Sequence, residues 1–242
     1  VRCRFVVLLA AVLLAGDLAL SPAAAQAPAP QPGPYARMLV VQPNPGQDRS
    51  FDEGYQRHME WHQAARNPWT WYGWYFVLGE RMGKFAAGSF FHAATDFDHV
   101  LRPGEAGLDM LRNVRPYAHF ENQAVLERLA GLSAGAPLPD SAPFLAMHTW
   151  YVAPGQAQAF EQMLRAHVRS RPADERFSWY RLALGGEAPA YLLLRAAPSF
   201  GGAAQLPDWW GPPQPGDVPG VVLRVRSELL QFMPHLSHQP GG

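Results

Sequence analysis

Cysteine is almost missing from this 242-residue chain: the one present, Cys3, sits at the extreme N-terminus. Downstream of it there is no thiol to serve as a nucleophile, to build a disulfide framework or to ligate a metal. Such a chain suits an oxidising compartment. An excess of charge of one sign is also missing, because 20 Lys+Arg are balanced by 20 Asp+Glu. That removes the electrostatic footprint expected of a nucleic-acid binder, so no nucleic-acid partner is expected. Beyond the N-terminal segment every apolar stretch is cut by Pro, Gly or charge, so no membrane span is expected there. Serine nucleophile elbows, phosphate-cradling glycine loops and paired-carboxylate motifs are lacking as well.

What remains is ample core material. Apolar residues make up 48% of the chain and charged residues 17%, which argues for a packed protein and against wholesale disorder. At the N-terminus Arg2 and Arg4 precede an apolar run, Phe5 to Gly16, and then Ser21, Pro22 and Ala23 to Ala25. This is the pattern of a secretory signal over residues 1–25, cut before Gln26, with Val1 fitting an alternative start codon read literally. The run is short for a membrane span, although a retained N-terminal anchor is the alternative. A periplasmic or secreted location is expected. Residues 26–34, alternating Ala, Pro and Gln, read as a disordered spacer.

Self-similarity organises the rest. PGQDRSFDEGYQRH from Pro45 matches PGQAQAFEQMLRAH from Pro154, so that Phe51 and His58 fall on Phe160 and His167. Farther on, Trp71-Tyr72 meets Trp179-Tyr180, and Ala93-Ala94 meets Ala196-Ala197. Each copy opens with a strand (Tyr35 to Val41; Phe144 to Val152), then a Pro-Gly turn and a helix with apolar residues four apart: Phe51, Tyr55 and Met59; Phe160, Leu164 and Val168. Ser50 and Glu53 have capping-box spacing. Pro68 and Pro172 follow the helices. Two strands come next in each copy (Trp69 to Leu78 and Lys84 to His92; Phe177 to Leu184 and Ala190 to Arg195), with glycines at the hairpin turns. A second helical region, Phe97 to Asn113, is shorter in copy two, where Pro207 to Gly220 intervenes. Closing elements are expected over Tyr117 to Leu132 and Val221 to Leu236. The expected fold is therefore α+β: two tandem ferredoxin-like βαββαβ units, residues 35–132 and 144–237, with antiparallel sheets packed face to face. A linker at 133–143 and a loose tail at 238–242 complete the chain. Two fused units hide each other's aromatic sheet faces, so the chain is expected as a monomer or a homodimer.

The P-G-Q turns after each first strand, together with Arg226-Ser227-Glu228-Leu229-Leu230 and Pro234-His235-Leu236-Ser237, resemble the NIPSNAP-type branch of the dimeric α/β-barrel superfamily. That superfamily also holds antibiotic-biosynthesis-monooxygenase-like and chlorite-dismutase-like proteins. The resemblance implies a barrel fold and a range of roles, from cofactor-free oxygenases and haem proteins to proteins without known activity. It carries over no functional residue.

Histidine and aromatic residues supply the candidate chemistry. His58 and His62, four apart, share a helical face and form a candidate divalent-metal pair. His58 and His167 are repeated and are candidate acid–base groups, each with the alternative of holding its helix to a strand. His148 shares a sheet face with Trp150; if the barrel is open, His148 lines it as a base or haem ligand. Alternation puts Trp69, Trp71 and Tyr75 on one sheet face and Tyr72, Trp74 and Phe76 on the other, so both faces are expected to be buried. Trp71, Tyr72, Trp150, Trp179 and Tyr180 are the candidate ligand-binding residues, for a small apolar ligand. Trp209-Trp210 reads as a contact surface or a lid. No cofactor is required by these residues, with haem or a divalent metal as the alternative. Three functions stay open: a small-molecule enzyme of oxygenase type, a non-catalytic periplasmic binding or assembly module, and a haem or metal protein.

Overall fold

The structure, a computed structural model, describes residues 32–169, 175–206 and 219–240. The expected signal segment, most of the spacer, Pro172 and Trp209-Trp210 lie outside these residues. Twelve elements follow in order: β1 (Tyr35–Pro43), α1 (Asp48–Ala64), β2 (Tyr72–Leu78), β3 (Phe85–His92), α2 (Pro103–Asn113), β4 (Ala118–Arg128), β5 (Phe144–Val152), α3 (Ala157–Arg169), β6 (Ser178–Leu184), β7 (Ala190–Ala197), α4 (Phe200–Ala204) and β8 (Val222–Phe232). This is an α+β fold of eight antiparallel strands and four helices.

The strands close into a barrel in the order β1-β3-β2-β8-β5-β7-β6-β4. Strands β1 to β4 occupy one half in the order β4-β1-β3-β2, and β5 to β8 occupy the other as β8-β5-β7-β6. Residues from both halves meet inside the barrel, Trp74 and Phe76 with Met147 and Leu194. In addition the sheet edges are hydrogen-bonded, β2 to β8 and β4 to β6. Closure satisfies edge strands that would otherwise expose unpaired backbone groups.

Alternation then sorts the side chains. Tyr72, Trp74 and Phe76 point into the barrel with Met147, Leu194 and Leu230, while Trp69, Trp71 and Tyr75 point outward under the helices. Both faces of β2 are buried, as the dense aromatic run predicts. Tyr72 and Tyr180 both face in, and Trp71 and Trp179 both face out. The outward residues of β5, Trp150 and Val152, pack with Phe160 and Leu164 of α3. Each such buried apolar side chain contributes about 2–3 kcal/mol before conformational entropy is charged against it.

Three local expectations change. Helix α1 begins at Asp48 after Gln47, so Ser50 lies inside the first turn and caps nothing; Glu53 pairs instead with Arg49 at 2.8 Å. The linker is part of the core: Leu138 is fully buried, its N–H bonds Ser178 Oγ, and its carbonyl accepts from the Tyr180 hydroxyl. His238, placed by the sequence in a loose tail, is buried and forms a two-way backbone bridge with Trp71, 2.8 Å each way. Its main chain supplies the partner that the N–H and C=O of Trp71 need ahead of β2.

Candidate functional site

Between α1, α2 and the outward face of β1 and β4 lies a cavity of about 290 Å³. Its walls are aromatic and apolar (Trp71, Tyr55, Phe120, Leu39, Met110), with His58, His62, Arg37 and Arg115 as the charged or titratable groups. Helix α1 delivers the histidines because its apolar stripe, Phe51, Tyr55 and Met59, faces the sheet and carries positions 58 and 62 inward with it.

His58 is 3% exposed, and its Nδ1 lies 2.7 Å from Asp109 Oδ2 on α2. An ionised carboxylate only accepts, so Nδ1–H is the donor and Nε2 carries the lone pair. Asp109 is held in turn by the Asn113 amide at 2.9 Å, and Asn113 Oδ1 accepts from Arg57 Nε at 3.1 Å. Burial pushes the His58 pKa down, partly opposed by the hydrogen bond and charge of Asp109. The imidazole is thus neutral near pH 7 and oriented by a carboxylate, the arrangement of a general base.

His62 plays a different part. Its Nδ1 accepts from Asn67 Nδ2 at 2.7 Å, and its ring stacks with those of Trp71 and His238. Burial, and then the neighbouring His58 and His238, push its pKa down to about 3. His58 and His62 meet edge to face at 4.7 Å between centroids. Among the described residues no group of three or more His, Cys, Asp or Glu is placed to hold a metal ion.

The other sequence candidates scatter. His148 faces outward on β5 beside Trp150, not into the barrel; strand alternation pairs it correctly with Trp150 but cannot say which face is inside. Burial, then Arg195, pushes its pKa down to about 4. His167 lies in the last turn of α3, half-buried and outside the cavity. Trp150 and Trp179 pack on each other 4.9 Å apart in the second outward core. Tyr72 and Tyr180 flank Phe90 inside the barrel. Of the five ligand-binding candidates, Trp71 alone lines the cavity. Asp109, Arg37 and Arg115 are site residues that the sequence reading missed.

The barrel mouth holds a second, smaller pocket of about 110 Å³. Its cations are matched: Arg81 pairs with buried Glu228, and Arg226 with Glu80 at 2.8 Å. At the same mouth Glu187, another lining residue, pairs with Arg224 at 2.6 Å.

No protein-family model matches the chain, and no curated protein matches its sequence. Solved structures do match. A candidate monooxygenase of Fusobacterium nucleatum is 10% identical, with 87% of this chain and 96% of that one covered at a TM-score of 0.59. A candidate monooxygenase of Lactobacillus acidophilus is 10% identical, with 86% and 97% covered at 0.56. The chlorite dismutase of Candidatus Nitrospira defluvii is 7% identical, with 83% and 91% covered at 0.52. These neighbours are thus described as monooxygenases and a chlorite dismutase, and at these identities the likeness is one of fold.

Proposed function

We propose that this is an exported tandem of two ferredoxin-like units that binds a small aromatic molecule in the first unit's helix–sheet cavity and oxidises it without a cofactor. The reading rests on His58, which lines an aromatic cavity and is held from behind by Asp109. Small-molecule oxidation is also what the names of the monooxygenase neighbours describe, for those proteins. His58 Nε2 takes the proton of an aromatic hydroxyl, and Asp109 stabilises the imidazolium. The electron-rich anion then reacts with dioxygen as co-substrate. With 1-naphthol the balance is naphthol + O₂ → 1,4-naphthoquinone + H₂O, the ring C–H being replaced by C=O and one oxygen atom leaving as water.

Haem is the second reading, since the superfamily resembled here includes haem proteins. The donor set suits it in part, because an imidazole whose Nδ1–H is bonded to a carboxylate is well oriented to ligate iron. No step is routed through haem.

The test is oxygen uptake and quinone formation by the purified protein with 1-naphthol. His58→Gln is expected to lower turnover by roughly 10²–10⁴-fold while naphthol affinity stays within about threefold, as the ring contacts remain. Unchanged turnover in that variant would remove His58 from the chemistry. Naphthol bound but never oxidised would leave a binding protein.

A further inference from the structure

Two arginines and two histidines line the cavity between the helices and the first half of the barrel, and no carboxylate does. Arg37 is the telling one. It sits on the outward face of β1, where its Nη2 donates to Gln123 Oε1 at 3.2 Å. Its Nε is buried and has no hydrogen-bond partner, and none of the ion pairs among the described residues includes it. Burial lowers its pKa. A buried donor left without a partner is costly unless an anion completes it. Arg115, also in the wall, lies 5.3 Å over the Phe120 ring and adds positive potential.

The fold itself does not ask for this cation. β1 and β5 are nine residues each and start the two halves, so shifting Tyr35–Pro43 by 109 places it on Phe144–Val152. Arg37 then falls on Ala146, which is buried. At the barrel mouth, by contrast, Arg81, Arg224 and Arg226 each have a carboxylate within ion-pair distance. The arginines at the barrel mouth are paired, whereas Arg37 stands open toward an aromatic cavity; Arg128 Nε is likewise buried without a partner but lines neither pocket described above.

We propose that the molecule taken by this cavity is a small aromatic carboxylate, its ring against Trp71 and Phe120 and its carboxylate on the free edge of Arg37. One guanidinium with one donor already engaged suits a single planar anion, which it meets through charge-assisted hydrogen bonds. The inference rests on the cavity being the binding site, as argued above, and specifies what that site selects.

A matched pair of probes tests it: 1-hydroxy-2-naphthoate and 1-naphthol, which differ by the carboxylate alone, titrated calorimetrically against wild type, Arg37→Gln and Arg37→Lys. Wild type is expected to favour the carboxylate by roughly 10- to 100-fold at low salt, with the preference shrinking as salt rises. Arg37→Gln should bring the two probes within about threefold of one another by loss of carboxylate affinity; Arg37→Lys should keep part of the preference. Ligand-free Arg37→Gln should melt no lower than wild type, because an uncompensated cation has been removed. Naphthol binding with no advantage for the carboxylate overturns the charge assignment and spares the cavity. Neither probe binding overturns both. A preference that survives Arg37→Gln, or a lowered melting point in that variant without ligand, removes Arg37 from the role.

Discussion

The two halves of the barrel share a strand order and differ in what covers them. Over β1 to β4 lie α1 and an eleven-residue α2, with a cavity beneath. Over β5 to β8 lie α3 and a five-residue α4, and Trp150, Trp179, Phe160 and Tyr191 fill the space, all within 1% of full burial. At the position of Val41 in β1 the second half has Trp150, which fills the corresponding space. Helix α2, meanwhile, has no fully buried residue, and Leu108 and Leu111 are more than half exposed. One half of the barrel is packed for stability. The other gives up packing to keep a roofed pocket, and the low-stability roof is where movement is cheapest.

The largest test of that contrast is to empty the filled side. Trp150→Ala should cost about 3–5 kcal/mol, the sum of lost transfer energy and an unrelaxed cavity. Trp71→Ala, beside a space that already exists, should cost less while abolishing ring binding. Chemical denaturation of both variants checks the order, and equal costs would mean that the halves are packed alike.

A smaller effect is expected where α2 docks. A Cβ at Gly54 would lie 1.9 Å from the Asn113 carbonyl oxygen, so α1 carries a helix-interior glycine, unfavourable by about 1 kcal/mol against alanine, to let α2 sit down. The same shift of 109 puts Met163 of α3 at this position, partly packed against the second outward core. Gly54→Met should make the first half resemble the second: α2 displaced, the Asp109 bond to His58 lost, stability down by about 1–3 kcal/mol and naphthol binding gone. Retained binding would show that α2 is not the roof.

This asymmetry explains what the sequence disclosed. Alternation along Trp69 to Phe76 assigned both faces of β2, since a strand's side chains must alternate whatever surrounds them. The histidine at 58 stood out because 167 repeats it. Asp109 did not, because its contact is made between two helices whose approach is set by Gly54 and Asn113, and no spacing in the chain encodes it. Alternation puts His148 on one face with Trp150, and only the strand register shows that this face is the outer one. Arg37 left a trace that went unused: a cation inside an apolar strand whose counterpart in the repeat is alanine. The expected α2 over Phe97 to Asn113 resolves into a short 3-10 turn, Ala94–Asp98, and a helix that starts at Pro103, where the ring fixes φ and the missing N–H is not needed.

Acid should separate the halves most finely. In the first, His58, His62 and His92 are all held below the ordinary histidine pKa of about 6.5 by burial; in the second, His148 is. A histidine kept neutral in the fold takes up a proton more readily once unfolded. Its contribution is therefore intact above about pH 6.5 and is lost progressively as pH falls toward the folded value. For His62, with a folded value of about 3, the loss at pH 5 is about 2 kcal/mol, 1.5 pH units below the unfolded value at ~1.36 kcal/mol each. Because His58 and His62 both lie in α1, amide exchange between pH 7 and 5 should accelerate first in α1 and α2, and later in α3 and β5 to β7. His62→Phe should flatten the acid dependence of melting while leaving the pH 7 value nearly unchanged. Uniform acceleration across both halves would mean that the barrel opens as one unit and that the roofed side is no looser than the packed one.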